Sequence, residues 1–196
     1  ELAAVMQYAQ SGDGKYIKEA VDYGRQEPVT PWMGADSAHH YQWYPFYNLG
    51  HILLSSHAEE KVANEFMRNV RAGLHRVSER GKNNAFYNGI PFIWCSNNLT
   101  VALVTQAMAY RANSGDAQYQ EMETSMRDWL FGVNPWGKCM IVGMPSNGDF
   151  PRDPHSALTN LEKIQVTGGL VDGPVYYNIF KSLKAPMFIS LYINHI

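Results

Sequence analysis

The sequence predicts an all-α chain of helical hairpins, followed by a long irregular loop region after residue 136. Three observations carry this reading. Apolar residues recur at steps of three and four through the first two thirds of the chain. A Ser-Gly-Asp turn followed by Tyr occurs twice, 103 positions apart. Beyond Trp136 the helical period stops and glycine and proline crowd the chain.

Met67, Val70, Leu74 and Val77 form one stripe, and Leu99, Ala102, Leu103, Gln106 and Tyr110 form another. Both segments read as amphipathic helices. Gly81-Lys82-Asn83-Asn84 is a stop signal between them, and an irregular stretch runs through Pro91 to Asn98, where Ser96 or Asn97 is the natural N-cap of the second helix. The repeated turn is Ser11-Gly12-Asp13 with Tyr16 and Ser114-Gly115-Asp116 with Tyr119. In each copy a helix runs into the turn, and the Asp carboxylate is placed to accept from exposed N–H groups of the next helix. Matched hairpins a hundred residues apart suggest an array of helix pairs, as a solenoid or a closed toroid. A helix ending at Gly132 has that glycine as its left-handed cap, and Asn134-Pro135 prevents a restart. The segment after Trp136 carries Gly137, Gly143, Gly148, Gly168, Gly169 and Gly173, with prolines at 145, 151, 154 and 174. Its scattered aromatic residues favour an ordered loop region over one end of the helices, with a short helix resuming near Tyr176 to Leu183.

At 196 residues and 45% hydrophobic content, the chain suits a single domain with a real core. Acidic and basic side chains nearly cancel, for a formal charge of -2, and no Lys/Arg run marks a nucleic-acid surface. Every apolar stretch is interrupted well short of the roughly 20 residues that span a bilayer, so no membrane partner is expected. Cys95 and Cys139 lack metal-ligand spacing and read as two buried thiols or one bridge. The first residues lack the basic start and apolar core of a signal peptide. No metal or other cofactor is expected, although calcium binding is left open.

Four constellations carry the chemistry. The densest is His39-His40-Tyr41-Gln42-Trp43-Tyr44-Pro45-Phe46-Tyr47-Asn48-Leu49-Gly50-His51, which combines ring faces with amide and imidazole groups. A polysaccharide site needs ring platforms for pyranose faces and planar polar groups for hydroxyls. His51 reads equally as a helix-packing histidine bonded to backbone. The second is Phe92-Ile93-Trp94-Cys95-Ser96-Asn97-Asn98, whose Trp94 either plugs the core or lines a cleft. The third runs from Asp128 to Gly143 through Asn134-Pro135-Trp136-Gly137. The fourth is Phe150-Pro151-Arg152-Asp153-Pro154-His155, with Gly168 to Pro174 beyond it.

In order and spacing these motifs resemble the C-terminal half of the catalytic domain of family 9 glycoside hydrolases, over residues 2 to 184. Residues 43 to 51 look like the family's Tyr-Tyr-Pro-Phe segment with Asn-Leu-Gly-His, and Trp94-Cys95-Ser96-Asn97 is similar to its Trp-Gly-Ser-Asn. Phe131 to Gly143 resembles Leu-Gly-x-Asn-Pro-x-Gly with its following apolar stretch. Pro154-His155 falls on Pro-His-His-Arg, and Asp172-Gly173-Pro174 on Gly-Gly-Pro. The resemblance implies part of an (α/α)6 barrel, secretion or a periplasmic location, and inverting hydrolysis of β-1,4-glucan or cello-oligosaccharides. It places His155, Arg152, Trp43, Tyr44 and Trp94 in the sugar cleft.

The match departs from the family at its chemistry. No Asp-Ala-Gly-Asp segment supplies the base, and no glutamate follows Glu162 to act as acid. Ala157 stands where the family has the Arg of its His-Arg pair. Residues 185–196 match nothing in the family; a frameshift after Lys184 and a native apolar tail both account for them. Substitute carboxylates are Asp36, Asp149, Asp153 and Asp172, with Asp153 preferred for its place beside His155. The readings are a glucan hydrolase, a non-catalytic glucan-binding or merely structural fragment, and an unrelated helical scaffold. A partial toroid also leaves an apolar flank, from which a homodimer is expected.

Overall fold

The computed structural model describes residues 1–26, 48–93, 95–147, 149–154, 156–177 and 181, with Asn160 described by its backbone alone. Among these, helices α1 (Leu2–Ser11) and α2 (Lys15–Gln26) form one hairpin, α3 (Leu49–Ser55) and α4 (Glu60–Gly81) a second, and α5 (Ser96–Ser114) and α6 (Gln120–Leu130) a third. A short α7 (Ala157–Glu162) interrupts the irregular region, and Ile141 and Leu170 form an antiparallel bridge there.

The odd-numbered helices pack successively, α1 on α3 and α3 on α5, while each even-numbered helix backs its own hairpin partner. Contacts fix their direction. Asn113 at the end of α5 donates to Ser56 at the end of α3 at 3.2 Å, and Tyr8 near the end of α1 meets His57 just past α3 at 5.5 Å. The odd helices therefore run parallel as an inner row, with α2, α4 and α6 outside. Sequence explains the division. α1 and α3 are apolar nearly all round, whereas α2, α4 and α6 carry a charged outer face. α5 departs from the expected amphipathic stripe, because its buried residues lie on most of its circumference, as an inner helix with neighbours on several sides requires.

One core joins the second and third hairpins through Val70, Leu74, Val77, Leu99, Leu103 and Met126. A smaller one joins the first and second through Val5, Ala20, Leu54 and Phe66. Each fully buried Leu or Val contributes about 1.5–3 kcal/mol, so these seams outweigh the surface ion pairs at about 0–1 kcal/mol each.

The repeated turn is one structure used twice. Gly12 and Gly115 both take the left-handed conformation, at φ 69° and 73°, and their N–H groups donate back to Tyr8 and Arg111. Ser11 and Ser114 each donate from Oγ to the carbonyl four residues earlier and accept the N–H of Asp13 or Asp116. Asp13 then accepts from Lys15 N–H at 3.0 Å, the first residue of α2. Asp116 accepts from Gln118 N–H at 2.9 Å, inside the turn and ahead of α6, whose N-cap position is Tyr119.

Three further expectations change. α5 begins at Ser96 behind Cys95, so neither Ser96 nor Asn97 caps it through its side chain. The cap of α6 is Phe131, with Gly132 one residue beyond at φ 114°. The segment after Trp136 does contain a helix, α7, started by Ser156 Oγ accepting from Leu158 N–H. Six residues are too few to show a period, and its Leu158 and Leu161 point to solvent. Of the short helix expected near Tyr176 to Leu183, Tyr177 and Lys181 are helical, and the remaining residues past 177 lie outside the described set.

Candidate functional site at the start of the inner helices

The parallel inner helices bring their N-terminal ends to one end of the fold, and the later motifs assemble there. α3 and α5 both start behind a non-glycine residue in the left-handed region, Asn48 at φ 59° and Cys95 at φ 58°. Such strain is retained where surrounding structure holds it, commonly at functional ends. The first turn of α5 is bonded to the irregular region in place of a local cap. Asp172 offers its carbonyl to Asn97 N–H at 3.0 Å, Asn97 Nδ2 donates to Val171 O at 2.9 Å, and Ser96 Oγ donates to Pro174 O at 2.8 Å. Gly173 makes this approach feasible. Its φ is 95°, and a Cβ there would lie 2.6 Å from both Asn97 Cγ and Ser96 Oγ. Ser96-Asn97 and Asp172–Pro174, distant in sequence, thus meet at one place.

The other two motifs pack beside them. Asn134 is buried and organises the turn after α6: its Nδ2 donates to Trp129 O at 2.8 Å and Lys138 O at 2.7 Å, and its Oδ1 accepts from the N–H groups of Trp136 and Lys138. Met140 and Val142 exchange backbone hydrogen bonds with Leu130, Gly168, Gly169 and Val171. Gly169 comes so close to Pro154 that a Cβ would sit 2.9 Å from its ring. Beneath lies an apolar floor of Trp129, Leu130, Met140, Val142 and Val171.

The first motif enters through His51, which is 2% exposed and lies edge-on to Phe66 at 4.7 Å. Its Nδ1–H donates to the Glu1 carboxylate, at 2.7 and 2.8 Å to the two oxygens. The packing role expected of His51 holds, and its Nδ1 is engaged by this carboxylate. Gly50 lets Glu1 in, since a Cβ there would stand 2.8 Å from Glu1 Oε2.

Trp43, Tyr44, Trp94 and His155, and the candidate Asp36, lie outside the described residues. Arg152 is exposed on the loop before α7. Asp153 accepts Ser156 N–H on Oδ1 at 3.3 Å, a turn bond, while its Oδ2 is buried without a hydrogen-bond partner among the described residues. Asp149 pairs with Lys138, and Asp172 contributes its carbonyl to α5. Cys95 and Cys139 each keep a thiol, Cys139 buried. Among the described residues no cluster of three or more His, Cys, Asp or Glu side chains could hold a metal, and no helix is long and apolar enough to cross a membrane.

One feature of this end escaped the sequence reading. Trp136 and Tyr176 are 41% and 47% exposed, yet both touch Phe92, at ring distances of 6.3 and 5.7 Å.

The family model for glycosyl hydrolase family 9 matches residues 1–187. The chain belongs to glycosyl hydrolase family 9. Its helical pairs are part of the (α/α)6 barrel of that family. Among solved structures it is similar to a metagenome-derived glycoside hydrolase family 9 endoglucanase, with a TM-score of 0.67 and 20% identity. The match covers 88% of this chain and 31% of that one, so the family 9 chain spans under a third of that enzyme's length. Comparison with curated proteins returns no match.

Proposed function

We propose that this family 9 chain forms part of the sugar cleft of a cellulase-type hydrolase, handling β-1,4-glucan at the start of its inner helices. The observation that carries the reading is the family match over residues 1–187. The convergence of its later motifs on the start of α5 supports the location. In the whole domain the reaction is inverting hydrolysis, in which one carboxylate activates water and a second carboxyl, roughly 6.5–9.5 Å away, protonates the leaving oxygen.

This chain's own contribution is binding and orientation, with Arg152, His155, Trp43, Tyr44 and Trp94 as sugar contacts. Incubation with cello-oligosaccharides, with assay of bound and released sugar, tests the reading. Binding without release supports a binding part, release supports a working hydrolase, and the absence of both contradicts the proposal. Asp153 is the carboxylate to replace, since among the described residues its Oδ2 is buried and unbonded. Release that survives Asp153→Asn removes it from any chemical step.

Self-association is the second part of the proposal. α5 is an inner helix, yet Val101 and Met108 on one stripe of it are 36% and 49% exposed. A second copy covering this stripe by a two-fold axis would remove them from water. Sedimentation at micromolar concentration should show a dimer that Met108→Lys disperses; a monodisperse wild-type monomer contradicts it.

A further inference from the structure

We propose that Trp136 and Tyr176, each packed against Phe92, form a stacking platform for the ring faces of a β-linked pyranose chain. The inference rests on the glucan reading above and assigns it residues that the motifs did not.

Trp136 is held from behind and open in front. Its ring stands against Trp129 at 5.9 Å and 83°, and Trp129 is itself buried and braced edge-on by Phe86. Its backbone is fixed by the Asn134 side chain, which accepts Trp136 N–H at 3.1 Å, and Gly137 follows at φ 61° to close the turn. Tyr176 is fixed in the same manner, because its N–H donates to Phe92 O at 2.7 Å. Core packing does not account for rings left this exposed. Trp129 already fills the floor, and exposing a large ring forfeits much of the roughly 1.5–3 kcal/mol that burial of such a side chain supplies.

The chemistry of the surroundings selects the ligand. The planes of Trp136 and Tyr176 incline to that of Phe92 by 53° and 47°, so the two exposed rings share one aromatic support. Lys138 and Asp149 pair with each other on the same loop, leaving polar groups for hydroxyls and no uncompensated charge among this pair to favour an ionic ligand. A pyranose with equatorial linkages presents axial C–H groups on both faces of a flat ring. Such faces match fixed aromatic planes, and rigid rings lose little entropy on binding.

The test is titration of the whole chain with cellotetraose, comparing wild type with Trp136→Ala, Tyr176→Ala and Tyr176→Phe. Each alanine variant should bind about ten-fold more weakly while keeping its thermal midpoint, and Tyr176→Phe should keep its affinity. Should Trp136→Ala fold poorly, Tyr176→Ala carries the test alone. Wild-type binding with undiminished binding by Tyr176→Ala and any folded Trp136→Ala overturns the platform and leaves the glucan reading standing. Failure of the wild type itself to bind overturns the reading beneath it, and the platform with it.

Discussion

Asn97 Nδ2 donates to the carbonyl oxygen of Val171 at 2.9 Å, tying the first turn of α5 to a segment 74 residues later. The bond is buried and water cannot replace it easily. Asn97→Ala should therefore cost about 1–3 kcal/mol, the penalty for leaving a buried carbonyl unpaired. Urea denaturation measures this, and a change below about 0.5 kcal/mol, typical of a surface substitution, would show that the tether is energetically idle.

Two glycines should respond with opposite signs. At Gly24 on α2 a Cβ would lie 2.4 Å from Phe66 Cε1, a ring fully buried between the first two hairpins. Helix propensity favours alanine by about 1 kcal/mol, but overpacking of about 1–3 kcal/mol wins, so Gly24→Ala destabilises. Nothing lies within 4 Å of a Cβ at Gly14, and its φ is not positive. Gly14→Ala should stabilise by about 0.4–1 kcal/mol. A raised thermal midpoint for Gly24→Ala would refute the packing there, and a lowered one for Gly14→Ala the open space at that turn.

The two repeated turns predict matched costs. Gly12 and Gly115 have open space at the Cβ position but φ of 69° and 73°. Alanine at either should lose about 1–2 kcal/mol through backbone strain alone. Unequal losses by chemical denaturation would mean that the repetition is one of sequence only.

The dependence of stability on pH follows from Tyr110. Its hydroxyl is pushed up to about 12 by burial and then by the hydrogen bond it donates to Asp116 at 2.9 Å. The folded value lies above the unfolded value of about 10, so the contribution is whole below about pH 10 and is lost as pH rises toward about 12. Asp116 has the opposite sign. The Gln118 backbone N–H, then the Tyr110 hydroxyl, hold its carboxyl below the usual range. Its contribution is present above about pH 4 and is lost as pH falls through the depressed value. Denaturation midpoints across pH should show Tyr110→Phe flattening the alkaline fall and weakening the acid one; parallel curves would contradict this.

These features differ in how far the sequence discloses them. The stripe at Val70, Leu74 and Val77 and the paired Ser-Gly-Asp turns are local patterns that the fold keeps as they stand. Ser96 and Asn97 mislead because their nearest use, as caps, is displaced by partners 78 and 74 residues away that only the assembled loop supplies. The Glu1–His51 pair spans 50 residues with no motif to announce it. Trp136 was hidden inside an Asn-Pro-Trp-Gly string that reads as a helix stop. The available signal was a bulky indole in a tight turn, outside any helical stripe.

The most direct test of the account is calorimetric titration of this chain with cellotetraose, with maltotetraose, its α-linked counterpart, as the comparison. A cleft for β-1,4-glucan at the start of the inner helices predicts saturable heat with cellotetraose and none with maltotetraose. Equal responses to the two sugars, or no response to either, would contradict it.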